Sequence, residues 1–133
     1  MLTNRSMPDD VLVPVLGYPD VGEAVTRLGE TFGFRLRWQV GAHRAQLAVG
    51  DRAAVAIVEG SAAGGADHVM VRVDDVDASV ERARAAGAEI VAEPEEFFYG
   101  ERQATVRDWS GRVWVLTQSV ADVEPSDWAT VTG

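Results

Sequence analysis

Residues 68–87, HVMVRVDDVDASVERARAAG, decide the fold because they contain a complete transition from strand to helix. Valines alternate with other residues over 68–73, which is typical of a half-buried β-strand with two different faces. Asp75 then stands where a helix N-cap belongs, and apolar residues follow at helical spacing. Gly87 suits the left-handed end of that helix. The stretch therefore predicts a strand followed at once by an amphipathic helix.

The same pattern occurs once earlier in the chain. Four pairs of identical residues stand 55 positions apart: Asp20 and Asp75, Val21 and Val76, Val25 and Val80, Arg27 and Arg82. Gly33 ends the earlier predicted helix, as Gly87 ends the later one. We interpret this agreement as an internal duplication.

Strand-like runs surround both helices and give each half the same order. A strand is predicted at 11–16 before the first helix, and three follow it at 34–40, 44–49 and 53–58. Three more, at 89–92, 103–107 and 113–118, follow the second helix. The prediction is a single α+β domain with a βαβββ module at 11–59 and another at 67–118. Residues 60–66 form a flexible, glycine-rich linker between them, and residues 119–133 an acidic C-terminal extension.

Composition excludes several classes of protein. The 133 residues carry a net charge of −9, which disfavours nucleic acid as a partner because phosphate backbones are also negative. The absence of cysteine excludes disulfides and thiolate metal sites. No apolar run approaches the roughly 20 residues of a membrane span, and 1–10 lack the apolar core of a signal peptide. We therefore expect a cytoplasmic protein with no membrane partner.

The motifs of the second module resemble those of the vicinal oxygen chelate superfamily, which contains glyoxalase I, extradiol dioxygenases and bleomycin-resistance proteins. Tyr99-Gly-Glu-Arg102 and Asp108-Trp-Ser-Gly-Arg-Val-Trp114 are similar to motifs of its uncharacterised glyoxalase-like branch. The strand-to-helix entry at 68–77 and the helix exit at 84–90 also match. The resemblance implies that the two modules form cupped mixed sheets with a ligand cavity between them. It also implies a homodimer, with or without exchange of modules.

The resemblance further implies where a divalent metal would bind. Enzymes of the superfamily hold the metal with His and Glu residues on the first and last strand of each module. His68 occupies such a position, but Val115 stands where its partner on the last strand belongs. In the first module, no His or carboxylate lies within 11–15, and Glu59 is the nearest carboxylate. Since these two candidates do not complete a site, we expect no metal cofactor.

Aromatic and charged side chains are the expected ligand contacts because flat rings offer a large surface to planar or cationic molecules. The predicted ligand-binding residues are Trp38, His68, Phe97, Tyr99, Arg102, Trp109 and Trp114. Trp114 is equally consistent with a core position, and His68 either hydrogen-bonds a neighbour or contacts the ligand. Arg102 should point to the opposite face from Glu101, towards a carboxylate such as Glu59 or an anionic ligand group.

Three functions remain open at this level. The first is a metal-free protein that sequesters a flat or cationic drug or metabolite, as bleomycin-resistance relatives do. The second is a metal-dependent lyase, isomerase or dioxygenase, which rests on His68 and Glu59 alone. The third is a dimeric interaction module without a small ligand. The aromatic residues, the negative charge and the missing metal ligands favour the first, which predicts a role in antibiotic resistance.

Overall fold

Strand, helix and three further strands follow one another twice in the computed structural model, which describes residues 4–5, 13–61 and 68–128. The chain divides into unit 1 (Met1–Gly65) and unit 2 (Ala66–Gly133). The elements of unit 1 are β1 (Val15–Tyr18), α1 (Val21–Phe32), β2 (Arg35–Val40), β3 (Arg44–Val49) and β4 (Ala53–Glu59). Those of unit 2 are β5 (Val69–Arg72), α2 (Val76–Ala85), β6 (Glu89–Phe97), β7 (Glu101–Arg107), β8 (Val113–Ser119) and a short 3₁₀ helix (Pro125–Asp127).

Each unit builds one four-stranded mixed sheet. The strand orders are β1-β4-β3-β2 and β5-β8-β7-β6, so the same connectivity occurs twice. The first strand of each unit pairs parallel with the last, and all other neighbours are antiparallel. The predicted α+β fold with two βαβββ modules is therefore confirmed.

The helix ends follow the prediction. Asp20 accepts a hydrogen bond from the Glu23 amide at 2.9 Å, and Asp75 accepts one from the Ala78 amide at 3.1 Å. Gly33 (φ 77°) and Gly87 (φ 90°) have left-handed backbone conformations, which glycine adopts without strain. None of the described helices is long and apolar enough to span a membrane.

One face of each sheet is covered by the helix of its own unit and forms the core. In unit 1 the largest fully buried side chains on this face are Tyr18, Val21, Leu28, Leu47 and Ile57. Gln46 is also buried, but it is adjacent to Leu47 on β3 and therefore points to the other face. In unit 2 the largest fully buried side chains are Val76, Val80, Val106, Trp114 and Leu116. Side chains alternate along a strand, so the residues between these core positions point to the opposite face. We refer to that opposite face as the open face of each unit.

Three strands differ from the sequence prediction by more than one residue, and one of them, β7, begins at Glu101 rather than 103. β1 begins at Val15 rather than 11, and residues 11–12 lie outside the described part of the chain. β6 extends to Phe97, five residues beyond the predicted 89–92. Pro94 and the surrounding glutamates have low strand propensity, but β6 is an edge strand with register shifts, where a proline is tolerated. Of the predicted linker 60–66, residues 62–66 also lie outside the described part.

The Asp108-Trp-Ser-Gly-Arg-Val-Trp114 motif forms a turn around one buried carboxylate. Oδ1 of Asp108 accepts hydrogen bonds from the amides of Ser110 and Arg112, at 2.9 and 3.0 Å, and from the Ser110 hydroxyl at 2.6 Å. Oδ2 accepts a bond from the Trp114 indole at 3.1 Å. This motif therefore fixes the β7–β8 turn and the largest core side chain of unit 2.

We expect Asp108→Ala to lower the free energy of unfolding by about 2–4 kcal/mol, because it leaves several buried donors without an acceptor. Urea unfolding monitored by circular dichroism would measure this loss. Asp51→Ala, in an exposed turn of unit 1, is the matched control and should change stability by less than about 0.5 kcal/mol. Equal effects of the two substitutions would contradict a structural role for the Asp108 carboxylate.

Candidate functional site

The register of β7 and β8 assigns side chains to the two faces of the unit 2 sheet. Trp114 and Leu116 are buried, and their partners Val106 and Ala104 are buried with them. The α2 amide of Val76 donates to Gln118 on this same face, at 2.9 Å, so α2 lies over it. Alternation then places these residues on the open face: Met70, Arg72, Glu95, Phe97, Glu101, Gln103, Thr105, Val115, Thr117 and Ser119.

Polar side chains from four elements are linked across this open face. The Tyr99 hydroxyl donates to Gln103 Oε1 at 2.9 Å, and Gln103 Nε2 donates to Thr117 Oγ1 at 3.1 Å. The Thr117 hydroxyl in turn donates to Glu101 Oε1 at 2.6 Å. Nη1 of Arg72 hydrogen-bonds the Ser119 hydroxyl and lies 3.7 Å from Glu101 Oε1. We refer to these six residues as the polar network.

Glu101 is the negatively charged end of the polar network. Its side chain is only 19% exposed. Hydrogen bonds from Thr117 and Ser119, with the nearby positive charge of Arg72, hold the pKa of Glu101 below its ordinary value of 4.5, although burial opposes this shift. Glu101 is therefore ionised at neutral pH.

An aromatic cluster formed by Phe97, Phe98, Tyr99 and Trp128 lies beside the polar network. The Phe97 and Tyr99 rings are nearly parallel, 8° apart in plane, with centroids separated by 5.5 Å. Phe98 meets Tyr99 edge-on at 5.4 Å, and Trp128 lies 5.7 Å from Tyr99 on a tilted plane. Tyr99 thus contacts three rings, and its hydroxyl joins the cluster to the polar network.

Two of the predicted ligand-binding residues, Phe97 and Tyr99, are brought together in this way. Trp109 lies in the turn at the other end of β7, and the seven residues of that strand span roughly 20 Å. Trp38 belongs to unit 1, where its register with Gln46 places it on the open face of that unit. His68 precedes β5 and is exposed, and strand alternation places it on the same face as Met70.

Trp114 and Arg102 lie on the covered face rather than among the open-face residues. Trp114 is 1% exposed beneath α2 and bonded to Asp108, so it is a core residue of unit 2. Arg102 and Glu101 do point to opposite faces, as expected. However, Arg102 forms a bidentate ion pair with Asp77 of α2, at 2.9 Å for both bonds, rather than with Glu59. The pair couples β7 to α2, and its hydrogen bonds lower the pKa of Asp77.

The residues do not fit the divalent metal that the sequence resemblance implies. Glu59 pairs in register with Tyr18, which is fully buried on the covered face, and its carboxylate lies 3.5 Å from Nδ1 of His43. In unit 2, apolar Val115 stands on the open face where the partner of His68 belongs. No group of three or more His, Cys, Asp or Glu residues that could hold a metal occurs within the described ranges.

Sequence reasoning missed most of the polar network and did not assign Trp128 to the site. Gln103 and Thr117 have no motif of their own, and Arg72 belongs only to the alternating pattern of 68–73. The only signal in the sequence was the alternation of side chains along a strand. It places Arg72 on the same face as His68, and Gln103 on the same face as Glu101. Which strands lie side by side could not be obtained from that signal.

The comparisons with known proteins agree with this architecture. The model of the Glyoxalase/Bleomycin resistance protein/Dioxygenase superfamily matches residues 11–116. Among solved structures, TioX from Micromonospora sp. ML1 is 33% identical over 86% of this chain and 100% of its own, with a TM-score of 0.68. A glyoxalase/bleomycin resistance protein from Streptomyces sp. CB03234 is 27% identical over 80% of this chain and 97% of its own, with a TM-score of 0.66.

A more distant similarity concerns the fold alone. The fosfomycin resistance protein FosX from Listeria monocytogenes is 17% identical over 85% of this chain and 95% of its own, with a TM-score of 0.69. No curated protein matches the chain at a significant level.

The depressed pKa of Glu101 predicts a pH dependence of stability. A carboxylate whose pKa is lowered by folding stabilises the protein above its unfolded-state pKa, and this contribution is lost as the pH falls through the folded-state pKa. We therefore expect the stabilities of the wild type and Glu101→Gln to differ most near pH 7 and to converge as the pH falls below about 4.5. Urea unfolding from pH 7 to pH 3 would measure both curves. A difference in the free energy of unfolding that is independent of pH would contradict a stabilising role for the Glu101 carboxylate. Glu95→Gln, an exposed substitution on the same face, is the control.

The ligand set predicts that the protein does not retain a divalent metal. We expect far less than one equivalent of metal per chain, by mass spectrometry, after purification without chelator and after incubation with zinc, nickel, manganese or ferrous iron. The prediction would be contradicted if the wild type bound about one equivalent of metal per chain and this metal were lost in His68→Ala but retained in His43→Ala.

Proposed function

Because the chain belongs to the Glyoxalase/Bleomycin resistance protein/Dioxygenase superfamily, we propose that it is a metal-free protein that binds and sequesters a flat small molecule. The proposed site is the open face of unit 2, where the aromatic cluster adjoins the polar network. Phe97 is the direct cross-strand partner of Glu101, so the two groups of residues lie on neighbouring strands about 5 Å apart.

The observation that supports this proposal most directly is the position of Tyr99. Three rings and one hydrogen bond hold its side chain in a single orientation. A ring that is fixed before binding loses little conformational entropy when a ligand stacks beside it. Phe97 keeps 36% of its surface exposed next to Tyr99 and therefore offers an apolar surface for a planar ligand.

The polar network gives the same site a means of orienting the ligand. Arg72 is 69% exposed at the side chain, and one end of its guanidinium is held by Ser119 and Glu101. Small-molecule sites commonly combine an apolar lining with a few fixed polar groups. Met70, an exposed apolar residue on the same face, extends this surface along β5.

Sequestration fits the residues better than catalysis through a metal. The superfamily's chelating chemistry requires metal ligands on the first and last strands of each module. In unit 2, Val115 stands at one of these positions and cannot bind a metal. In unit 1, the nearest carboxylate, Glu59, lies on the covered face beside His43. Among the similar structures, FosX is named a fosfomycin resistance protein and the Streptomyces protein a glyoxalase/bleomycin resistance protein. By analogy, we propose that binding protects the cell from a toxic small molecule.

Phe97→Ala tests the proposed site. We expect it to weaken the binding of two tricyclic probes, 9-aminoacridine and anthracene-9-carboxylate, by up to about tenfold, because a ring contact is worth about 0.5–1.5 kcal/mol. Isothermal titration calorimetry would give the dissociation constants, and EDTA should leave them unchanged. Leu36→Ala, at a residue of unit 1 that is likewise an exposed hydrophobic, is the control. Failure of both probes to bind the wild type, or equal effects of the two variants, would contradict the proposal.

A further inference from the structure

The segment after β8 turns back over the β6–β7 hairpin and ends in the aromatic cluster. The amides of Val120 and Ala121 both donate to the carbonyl of Gly100, at 2.9 and 3.2 Å. The 3₁₀ helix follows, and Trp128 then packs 5.7 Å from Tyr99 and 6.0 Å from Phe98, measured between ring centroids. We refer to residues 120–128 as the C-terminal strap, which is attached to the hairpin at both ends.

Gly100 makes this close approach possible. Its backbone is left-handed, with φ 87°, and a β-carbon at this position would collide with the carbonyl oxygen of Ala121. The same β-carbon would lie 3.0 Å from Cγ2 of Val123. Only glycine meets both requirements without strain. The residue that turns the hairpin therefore also seats the strap.

Two of the rings that contact Tyr99 remain accessible after the strap has packed. Trp128 is 48% exposed, and Phe98 is 74% exposed. A cluster formed only to close the end of a core would bury these large apolar surfaces, whereas neighbouring exposed rings are typical of an interaction site. Trp128 therefore adds a further accessible ring beside Tyr99 and Phe98.

Unpaired carboxylates flank these rings in the chain. Glu95 precedes Phe97 on the open face, and Asp122, Glu124 and Asp127 lie on the strap that ends at Trp128. All four are exposed, and none forms an ion pair within the described residues. The arginine nearest to Glu95 in the sequence, Arg102, is already bound to Asp77 on the covered face. The positive charge of Arg72 on the same face is offset by Glu101, whose carboxylate lies 3.7 Å away. Aromatic faces and unpaired carboxylates both attract cations, so the two features together favour a cationic ligand.

We propose that the C-terminal strap is a wall of the ligand site, that Trp128 contacts the ligand, and that the ligand is a planar aromatic cation. This inference rests on the proposed function, to which it adds a ligand class and a contact residue. The superfamily match ends at residue 116, so the strap lies outside the part of the chain that the family model describes.

Calorimetric titration of the full chain with 9-aminoacridine, a planar cation, tests the role of Trp128. We expect Trp128→Ala to weaken binding about tenfold, as is typical for the loss of one partly desolvated cation–aromatic contact. Trp128→Phe keeps a flat ring and should restore most of the affinity. Because Trp128 is about half exposed and belongs to no helix or strand of the two sheets, both variants should retain the wild-type unfolding curve, which separates a contact role from a structural one.

A charge-matched pair of double variants tests the ligand class. Glu124→Gln with Asp127→Asn should weaken 9-aminoacridine binding several-fold. Asp51→Asn with Glu81→Gln changes the net charge by the same amount at exposed positions in unit 1 and on α2, outside the strap, and should have little effect. Anthracene-9-carboxylate, a planar anion of similar size, should bind the wild type more weakly than 9-aminoacridine does.

The outcomes separate this inference from the proposed function. If Phe97→Ala weakens binding but neither Trp128→Ala nor the strap double variant does, the strap is not a wall of the site, and the proposed function stands. If the anion binds more tightly than the cation, the ligand class is wrong. If neither probe binds the wild type, the proposed function fails and this inference fails with it.

Discussion

Strand β7 lies between β8 and β6, and its register with both neighbours determines which groups reach the open face of unit 2. A shift by one residue would exchange Glu101 and Gln103 for Arg102 and Ala104. The bidentate bond of Arg102 to Asp77 opposes such a shift, because it attaches the covered face of β7 to α2. The polar network and the seat of the aromatic cluster both depend on this register.

The polar residues of unit 2 divide into those that stabilise the fold and those that remain available to a ligand. Three aspartates already have partners within the fold. Asp75 caps the N-terminus of α2, Asp77 is paired with Arg102, and Asp108 accepts the hydrogen bonds of a buried turn. Arg72 keeps much of its guanidinium exposed on the open face, and the carboxylates of the strap have no arginine partner in the described part of the chain. The negative charge that gives the protein its net charge of −9 is therefore distributed unevenly, and some of the unpaired carboxylates lie on the strap that carries an exposed ring.

Apolar residues stand where the resemblance to the superfamily places metal ligands, and this difference bears on what the open face can bind. A chelating site would stabilise charge on substrate oxygens, but Val115 offers only an apolar contact in its place. The groups that remain on the open face of unit 2 favour stacking and hydrogen bonding. Such contacts give affinity for a flat molecule without requiring it to react, and they agree with the proposal of a sequestering protein.

Local patterns in the sequence are sufficient to predict the order of strands and helices and its duplication. Helix caps at Asp20 and Asp75 and the alternation of 68–73 involve residues within about four positions of each other, so the chain shows them directly. β6 was predicted too short because its strand conformation comes from pairing with β7 rather than from the propensities of its own residues.

The site was decided by the tertiary structure. Phe97 and Tyr99 were predicted as ligand contacts because they are aromatic residues next to a turn. The sequence could not distinguish Trp114 from them, and only the strand register shows that Trp114 is buried under α2. Arg102 and Asp77 are 25 positions apart, and Thr117 and Glu101 are 16 apart. Contacts at such separations depend on which strands are neighbours and on how Gly100 seats the strap, and no local pattern in the sequence specifies either.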